Sequence, residues 1–271
     1  MSNAAPGRAR AATARAAKSE VPPASWCADP YTRALHRGRG PLFLRRSDGW
    51  LLPLDVERWC AAADTADLSA LGRSEGSVLD VGCGPGRLAV ELAAQGRRVL
   101  GIDVSEAAVA RTRRLGAPAL RRSVFDPLPG EGRWGTVLLL DGNTGIGGDP
   151  AALLNRLAEL LAPDGLLIAE TAPVDVDERV WVRVDDGRDE GQGEAHFPWA
   201  RLGTTALLHR AGALGWRTAE QWTSRGRHFL ALRRPRTARR ASSSAEAANS
   251  AADSSSQRGR NTPAGSPVTD S

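Results

Sequence analysis

Lysine is nearly missing from this sequence: Lys18 is the only one, so the 36 basic residues are almost all arginine. The N-terminus is Arg-rich and acid-poor, as a transit peptide would be, but the arginine bias runs through the whole chain and weakens that inference. Cysteine is scarce as well. Cys27, Cys60 and Cys83 make neither a CxxC pair nor an even set, which points away from a disulfide framework and from a metal site and fits a reducing cytosol. No apolar run approaches the ~20 residues that span a bilayer, and the N-terminus lacks the apolar core of a secretory signal. The expectation is a cytoplasmic protein with no membrane partner and no internal repeat.

Bulky apolar residues are missing from both flanks. Residues 1–28 are rich in Ala, Arg, Pro and Ser, and residues 233–271 run from arginines into Ser, Ala, Gly, Asn and Pro. Neither flank can bury enough apolar surface to offset the entropy of ordering it, so both are expected to be disordered tails. What remains, roughly 200 residues, suffices for one domain with a sizeable core. The net charge of +5 divides unevenly. Residues 1–28 hold four basic and one acidic residue and residues 233–271 hold seven and three, which leaves 25 basic against 27 acidic in residues 29–232. A mildly acidic folded part argues against nucleic acid as its partner.

What is present reads as a helical N-terminal cap over residues 29–75 and an α/β domain over residues 76–232. Asp29-Pro30 opens a helix that reaches His36. Ser47-Asp48-Gly49 turns a short hairpin, and residues 53–71 read as one helix with Val56, Trp59, Cys60 and Ala63 on one face. Five apolar strands follow, separated by helices: one ending at Val81, then 98–103, 119–125, 136–141 and 166–170. That alternation implies a parallel sheet covered on both faces. An insertion over about 174–198, hairpin-like around Asp185-Asp186-Gly187, precedes a helix expected from about Trp199 to Ala213. Strands at 218–223 and 228–232 close the domain, and the four residues between them permit only an antiparallel pair.

The chemistry is most legible at Asp80-Val81-Gly82-Cys83-Gly84-Pro85-Gly86-Arg87, a strand end, a glycine turn and a helix start. Glycine lets backbone approach a bulky ligand with no Cβ in the way. A dinucleotide fingerprint reads Gly-x-Gly-x-x-Gly, and Arg87 stands where its third glycine belongs. The loop therefore suits a nucleoside ligand without a pyrophosphate, and S-adenosylmethionine fits. Asp103 ends the second strand, where its two oxygens suit the hydroxyls of a ribose; NAD sites place an acid similarly. Asp126 follows the third strand and is a candidate partner for an adenine amino group, or a turn residue before Pro127.

The ordered set Asp80–Gly86, Ile102-Asp103, Phe125-Asp126 and Leu140-Asp141-Gly142-Asn143 resembles the class I S-adenosylmethionine-dependent methyltransferase family over about residues 76–232. The resemblance implies a Rossmann-like seven-stranded fold of strand order 3-2-1-4-5-7-6, mostly parallel with an antiparallel last strand and helices on both faces. By position it implies that Gly82, Gly84 and Gly86 line the methionine end of the cofactor and that Asp80 orients its amino-acid end. Asp103 would bind the ribose, Asp126 would lie near adenine, and Asp141 would border the sulfonium and the acceptor. The loop Asp141-Gly142-Asn143-Thr144 departs from the Asn/Asp-Pro-Pro-Tyr/Phe tetrad of base- and glutamine-amino methyltransferases, and no His/Asp metal constellation of the catechol type is visible.

These readings converge on methyl transfer to a small-molecule acceptor. The alternatives are an NAD-dependent oxidoreductase, a non-catalytic S-adenosylmethionine-binding module, and methylation of a macromolecule. Candidate bases are Glu170 at the fifth strand's end, His196 beside Phe197-Pro198-Trp199, and His36 in the cap, each with a plainer structural reading. Tyr31, Trp50 and Trp199 are candidate walls of an apolar acceptor pocket. The sequence leaves the acceptor and the oligomeric state open.

Overall fold

The computed structural model describes residues 29–188 and 196–235. The expected tails at 1–28 and from 236 onward lie outside the described residues; Arg233, placed in the tail by composition, ends the last strand. In chain order the elements are α1 (Asp29–Arg37), β1 (Phe43–Arg46), β2 (Leu51–Pro53), α2 (Val56–Cys60), α3 (Thr65–Leu71), β3 (Val78–Val81), α4 (Arg87–Ala94), β4 (Val99–Asp103), α5 (Glu106–Arg114), β5 (Ala119–Arg121) and β6 (Trp134–Leu139). Then come a 3₁₀ turn (Asn143–Gly145), α6 (Pro150–Leu160), β7 (Leu161–Thr171), β8 (Asp177–Asp185), β9 (Phe197–Leu202), α7 (Thr204–Ala213), β10 (Arg217–Ser224) and β11 (Arg227–Arg233).

Seven strands form the main sheet in the order β10-β11-β7-β6-β3-β4-β5. β3 through β7 pair in parallel, while β11 runs antiparallel to both β7 and β10. Counted along the core strands this is 3-2-1-4-5-7-6, the Rossmann-like methyltransferase order. Side chains alternate across each strand and so build a separate core on each face. Leu79, Val81, Val137, Leu139, Leu167 and Leu230 pack beneath α6 and α7. Val78, Leu138, Leu140, Ile168, Phe229 and Ala231 pack beneath α3 and α4. The helix starts are capped as their sequences direct: Ser105 accepts from the Ala108 amide at α5, and Asp149, followed by Pro150, accepts from Ala151 and Ala152 at α6.

Three expectations require correction. The helix over 53–71 is two short helices, because Asp64 caps a fresh start with Asp67 in a reciprocal capping box. The third core strand stops at Arg121, where the Asp126 carboxylate accepts from the Ser123 amide and holds a turn. The helix placed at about Trp199 begins only at Thr204; Phe197–Leu202 is β9, paired over its whole length with β8. The hairpin expected around Ser47-Asp48-Gly49 forms, as β1 paired with β2, and β1 also pairs with β8, giving a second, antiparallel sheet of order β2-β1-β8-β9. Its inner face carries Leu44, Val182, Val184, Phe197 and Trp199 against Tyr31, Leu35 and Val56 of α1 and α2.

Candidate active site

The site begins where β3 runs out. Gly82 adopts φ +70°, and a Cβ there would sit 2.7 Å from Asn143 Nδ2. The same Asn143 Nδ2 donates to Val81 O at 2.9 Å and to Gly82 O at 3.0 Å, so the loop after β6 clamps the glycine turn. The turn is tied equally to β4. Asp103 Oδ2 accepts from the Gly84 amide at 2.9 Å, and its Oδ1 from the Ser105 amide at 2.8 Å. Protein surrounds this carboxylate on every side but the cavity, and burial raises its pKa despite the backbone hydrogen bonds that oppose the shift.

Asp80 lies one layer deeper. It is buried, its Oδ2 has no hydrogen-bond partner, and its pKa is raised from 3.8 to about 8 by burial first and by Asp141 and Asp103 after that. A buried carboxyl oxygen without a partner costs free energy that an incoming donor or cation would recover.

Arg87, the first residue of α4, does not fill the space a fingerprint glycine would leave. Its side chain is buried and turns into a set of ion pairs. One terminal nitrogen pairs with Asp67, and Nη2 lies 2.5 Å from Asp141 Oδ2. Arg227 of β11 reaches the same two acids, at 2.7 Å to Asp67 Oδ1 and 3.5 Å to Asp141 Oδ1. Arg58 of α2 adds a contact of 2.8 Å to Asp141 Oδ1. Asp141 itself has φ +59°, an unusual backbone for a non-glycine residue, and its amide donates to Glu170 Oε2 at 2.8 Å. Sequence reasoning missed Arg58 and Arg227 altogether and read Arg87 only for its bulk.

These groups surround one cavity of about 1280 Å³, open mouth included. Asp80, Gly82, Gly84, Asp103 and Asp141 line it, together with Asn143. Arg122, Ser123, Val124 and Phe125 edge the side beyond Asp103, while Tyr31, Leu54, Trp59, Ile146, Phe197, Pro198 and Trp199 supply further walls. Four expected positions lie outside the lining, each for a local reason. Gly86 faces Thr112, whose Oγ1 would be 2.6 Å from a Cβ. Asp126 is spent on its own turn. Glu170 sits behind Asp141, holding Arg227 through two contacts of 2.7 and 2.8 Å. His196 is exposed on the approach to β9. Of the other candidates, His36 is exposed on α1, and Trp50 lies between the guanidiniums of Arg46 and Arg201.

A family model described as a methyltransferase domain matches residues 56–222, more than half of the chain and all of the cofactor-type loop just described. The chain belongs to the methyltransferase-domain family. No curated protein matches the sequence. Among solved structures, the fold is similar to an S-adenosylmethionine-dependent methyltransferase from Bacteroides fragilis in complex with S-adenosyl-L-homocysteine. The TM-score is 0.61 at 20% identity, covering 75% of this chain and 92% of that one. The CcbJ methyltransferase from Streptomyces caelestis matches at TM-score 0.48 and 19% identity, over 65% of this chain and 92% of its own. The 1,6-didemethyltoxoflavin-N1-methyltransferase of Burkholderia thailandensis, solved with that compound and S-adenosylhomocysteine, matches at TM-score 0.45 and 21% identity, over 62% and 74%. At 20% identity the likeness to the Bacteroides fragilis structure speaks for the fold alone.

Proposed function

We propose that this methyltransferase takes S-adenosylmethionine as its methyl donor and delivers the methyl group to a small-molecule acceptor within the same cavity. The observation that carries the reading is the buried Asp80 oxygen without a partner beneath a glycine turn. That oxygen suits the ammonium of an amino-acid end, and Gly82 and Gly84 line the cavity with bare backbone. Asp103, whose carboxylate faces the cavity from the end of β4, suits the ribose hydroxyls; Ser123, Val124 and Phe125 suit the base. Bound there, the donor brings a sulfonium whose methyl carbon is already activated.

The remaining tasks fall to the chain. Alignment of the acceptor atom about 3–3.5 Å from the methyl is the main one, and apolar walls that exclude water perform it. Asp141 lines the cavity, yet its carboxylate is engaged by arginines on both oxygens, which fixes the loop after β6 rather than freeing the carboxylate as a base. The mildly acidic folded part and a cavity walled by apolar side chains support a small acceptor over a nucleic acid.

Isothermal titration with S-adenosylhomocysteine tests the reading. Binding is expected, with at least a tenfold loss in Asp103→Ala, since a hydrogen bond to a charged group contributes about 1.5–3 kcal/mol. Binding of NADH in preference to S-adenosylhomocysteine, or indifference to Asp103→Ala, would sink it.

A further inference from the structure

We propose that the acceptor is a planar aromatic molecule that carries a hydrogen-bond-accepting atom, seated against the wall formed by two aromatic pairs with that atom turned to the Trp59 indole N–H. The inference rests on the methyl transfer proposed above and names the substrate class for the same cavity.

Two segments far apart in the chain bring the pairs together. Tyr31 of α1 and Trp59 of α2 meet edge to face, with ring centroids 6.4 Å apart and planes at 73°. Phe197 and Trp199 of β9 do the same at 6.2 Å and 89°. All four line the cavity that holds Asp80 and Asp103. An edge-to-face pair presents both a ring face, which is negative, and a ring edge, which is positive. The four rings belong to one apolar cluster that borders the cavity, and such a wall complements a flat ring, whose own faces and edges carry the same pattern. Aromatic contacts of this kind are worth about 0.5–1.5 kcal/mol beyond the area they bury, a gain that a saturated ring of equal size does not share.

The polar handle is Trp59 Nε1, which is buried and has no hydrogen-bond partner. Two other indoles of this chain are satisfied: Trp134 donates to Pro129 O at 3.1 Å and Trp222 to Ser69 Oγ at 3.1 Å. Trp216 Nε1 is also unpartnered, but it lies in the core beneath α7 and lines no part of this cavity. A buried indole N–H left unpaired costs about 1–3 kcal/mol, and at Trp59 an acceptor oxygen or nitrogen on a bound ring would remove that cost.

Calorimetry on the full chain saturated with S-adenosylhomocysteine tests the inference with three probes of matched size: 1-naphthol, decahydro-1-naphthol and 1-methylnaphthalene. The first is expected to bind at least tenfold more tightly than either of the others, the saturated alcohol reporting the ring and the methyl compound reporting the hydrogen bond. Trp59→Phe is expected to weaken 1-naphthol about tenfold, and more than it weakens S-adenosylhomocysteine. Equal binding of the three probes, no binding of 1-naphthol, or an unchanged affinity in the variant overturns the inference. So does competition between 1-naphthol and S-adenosylhomocysteine, which would assign the aromatic pairs to the adenine. Failure of S-adenosylhomocysteine to bind at all speaks against the methyl-transfer reading instead. The probe series on the bare protein then still decides whether the aromatic pairs select a flat ring.

Discussion

Arg87 and Arg227 grip the same two carboxylates, so that Asp67, Arg87, Asp141 and Arg227 form a closed ring of alternating charge. Asp67 is wholly buried within it. Removing one member of such a ring leaves an uncompensated buried charge, which costs about 3–5 kcal/mol, whereas removing a pair together costs far less. Arg87→Met is therefore expected to lose about 3 kcal/mol in urea denaturation, reduced because Arg227 still faces both acids. The double variant Arg87→Met/Asp67→Asn should lose less than the two single losses summed. Strict additivity would show that the ring is not a unit.

Asp80 gives the domain a pH dependence of definite sign. Its pKa is about 8 in the fold against an ordinary 3.8, so between those values the folded chain holds a proton that the open chain has released. Stability from this group is thus greatest below about pH 4 and falls as pH rises through 8. Thermal melts of the ligand-free protein at pH 6 and pH 8.5 should show Asp80→Asn losing less stability than the parent over that interval. If the donor's ammonium pairs with Asp80, binding of S-adenosylhomocysteine below pH 8 should also release a proton, visible as a buffer-dependent binding enthalpy that Asp80→Asn lacks.

Two glycines should respond in opposite directions to the same substitution. A Cβ on Gly145 would stand 2.3 Å from Ala200 O and 2.5 Å from the Trp199 ring, backbone and wall that have nowhere to go. Gly145→Ala should cost several kcal/mol and separate the loop after β6 from β9. Gly212 lies near the end of α7 with nothing within 4 Å of its Cβ position, so Gly212→Ala should raise stability by about 0.5–1 kcal/mol. Melting temperatures of the two variants check both claims, and a neutral Gly145→Ala would refute the close docking.

The parts of the molecule legible in the sequence are those with local signals. Apolar runs such as Val137–Leu140 mark strands buried on both faces, and Ser105 or Asp149-Pro150 mark helix starts, because each acts on its own neighbours. The glycine turn and Asp103 were visible by spacing along the chain. The second sheet was legible only as two separate hairpins, and the pairing of β1 with β8 that joins them was not. Phe197–Leu202 becomes a strand because β8 pairs with it and because Gly145 and Gly148 let the loop after β6 pack flush against its other side. Arg58 and Arg227 could not be found by spacing, since they reach Asp141 from 83 and 86 residues away, and arginines are everywhere in this chain.

The pairing of β1 with β8 has a consequence for the order in which the molecule comes together. Phe43 faces Asp185 across that ladder, so the strands meet only after the whole of the parallel sheet's chain lies between them. Closing so long a loop carries a large entropy cost unless the intervening chain has already compacted. All five parallel strands, residues 78 to 171, are therefore made before β8 exists, and the second sheet can close only across them, joining residues 43–46 to residues 182–185.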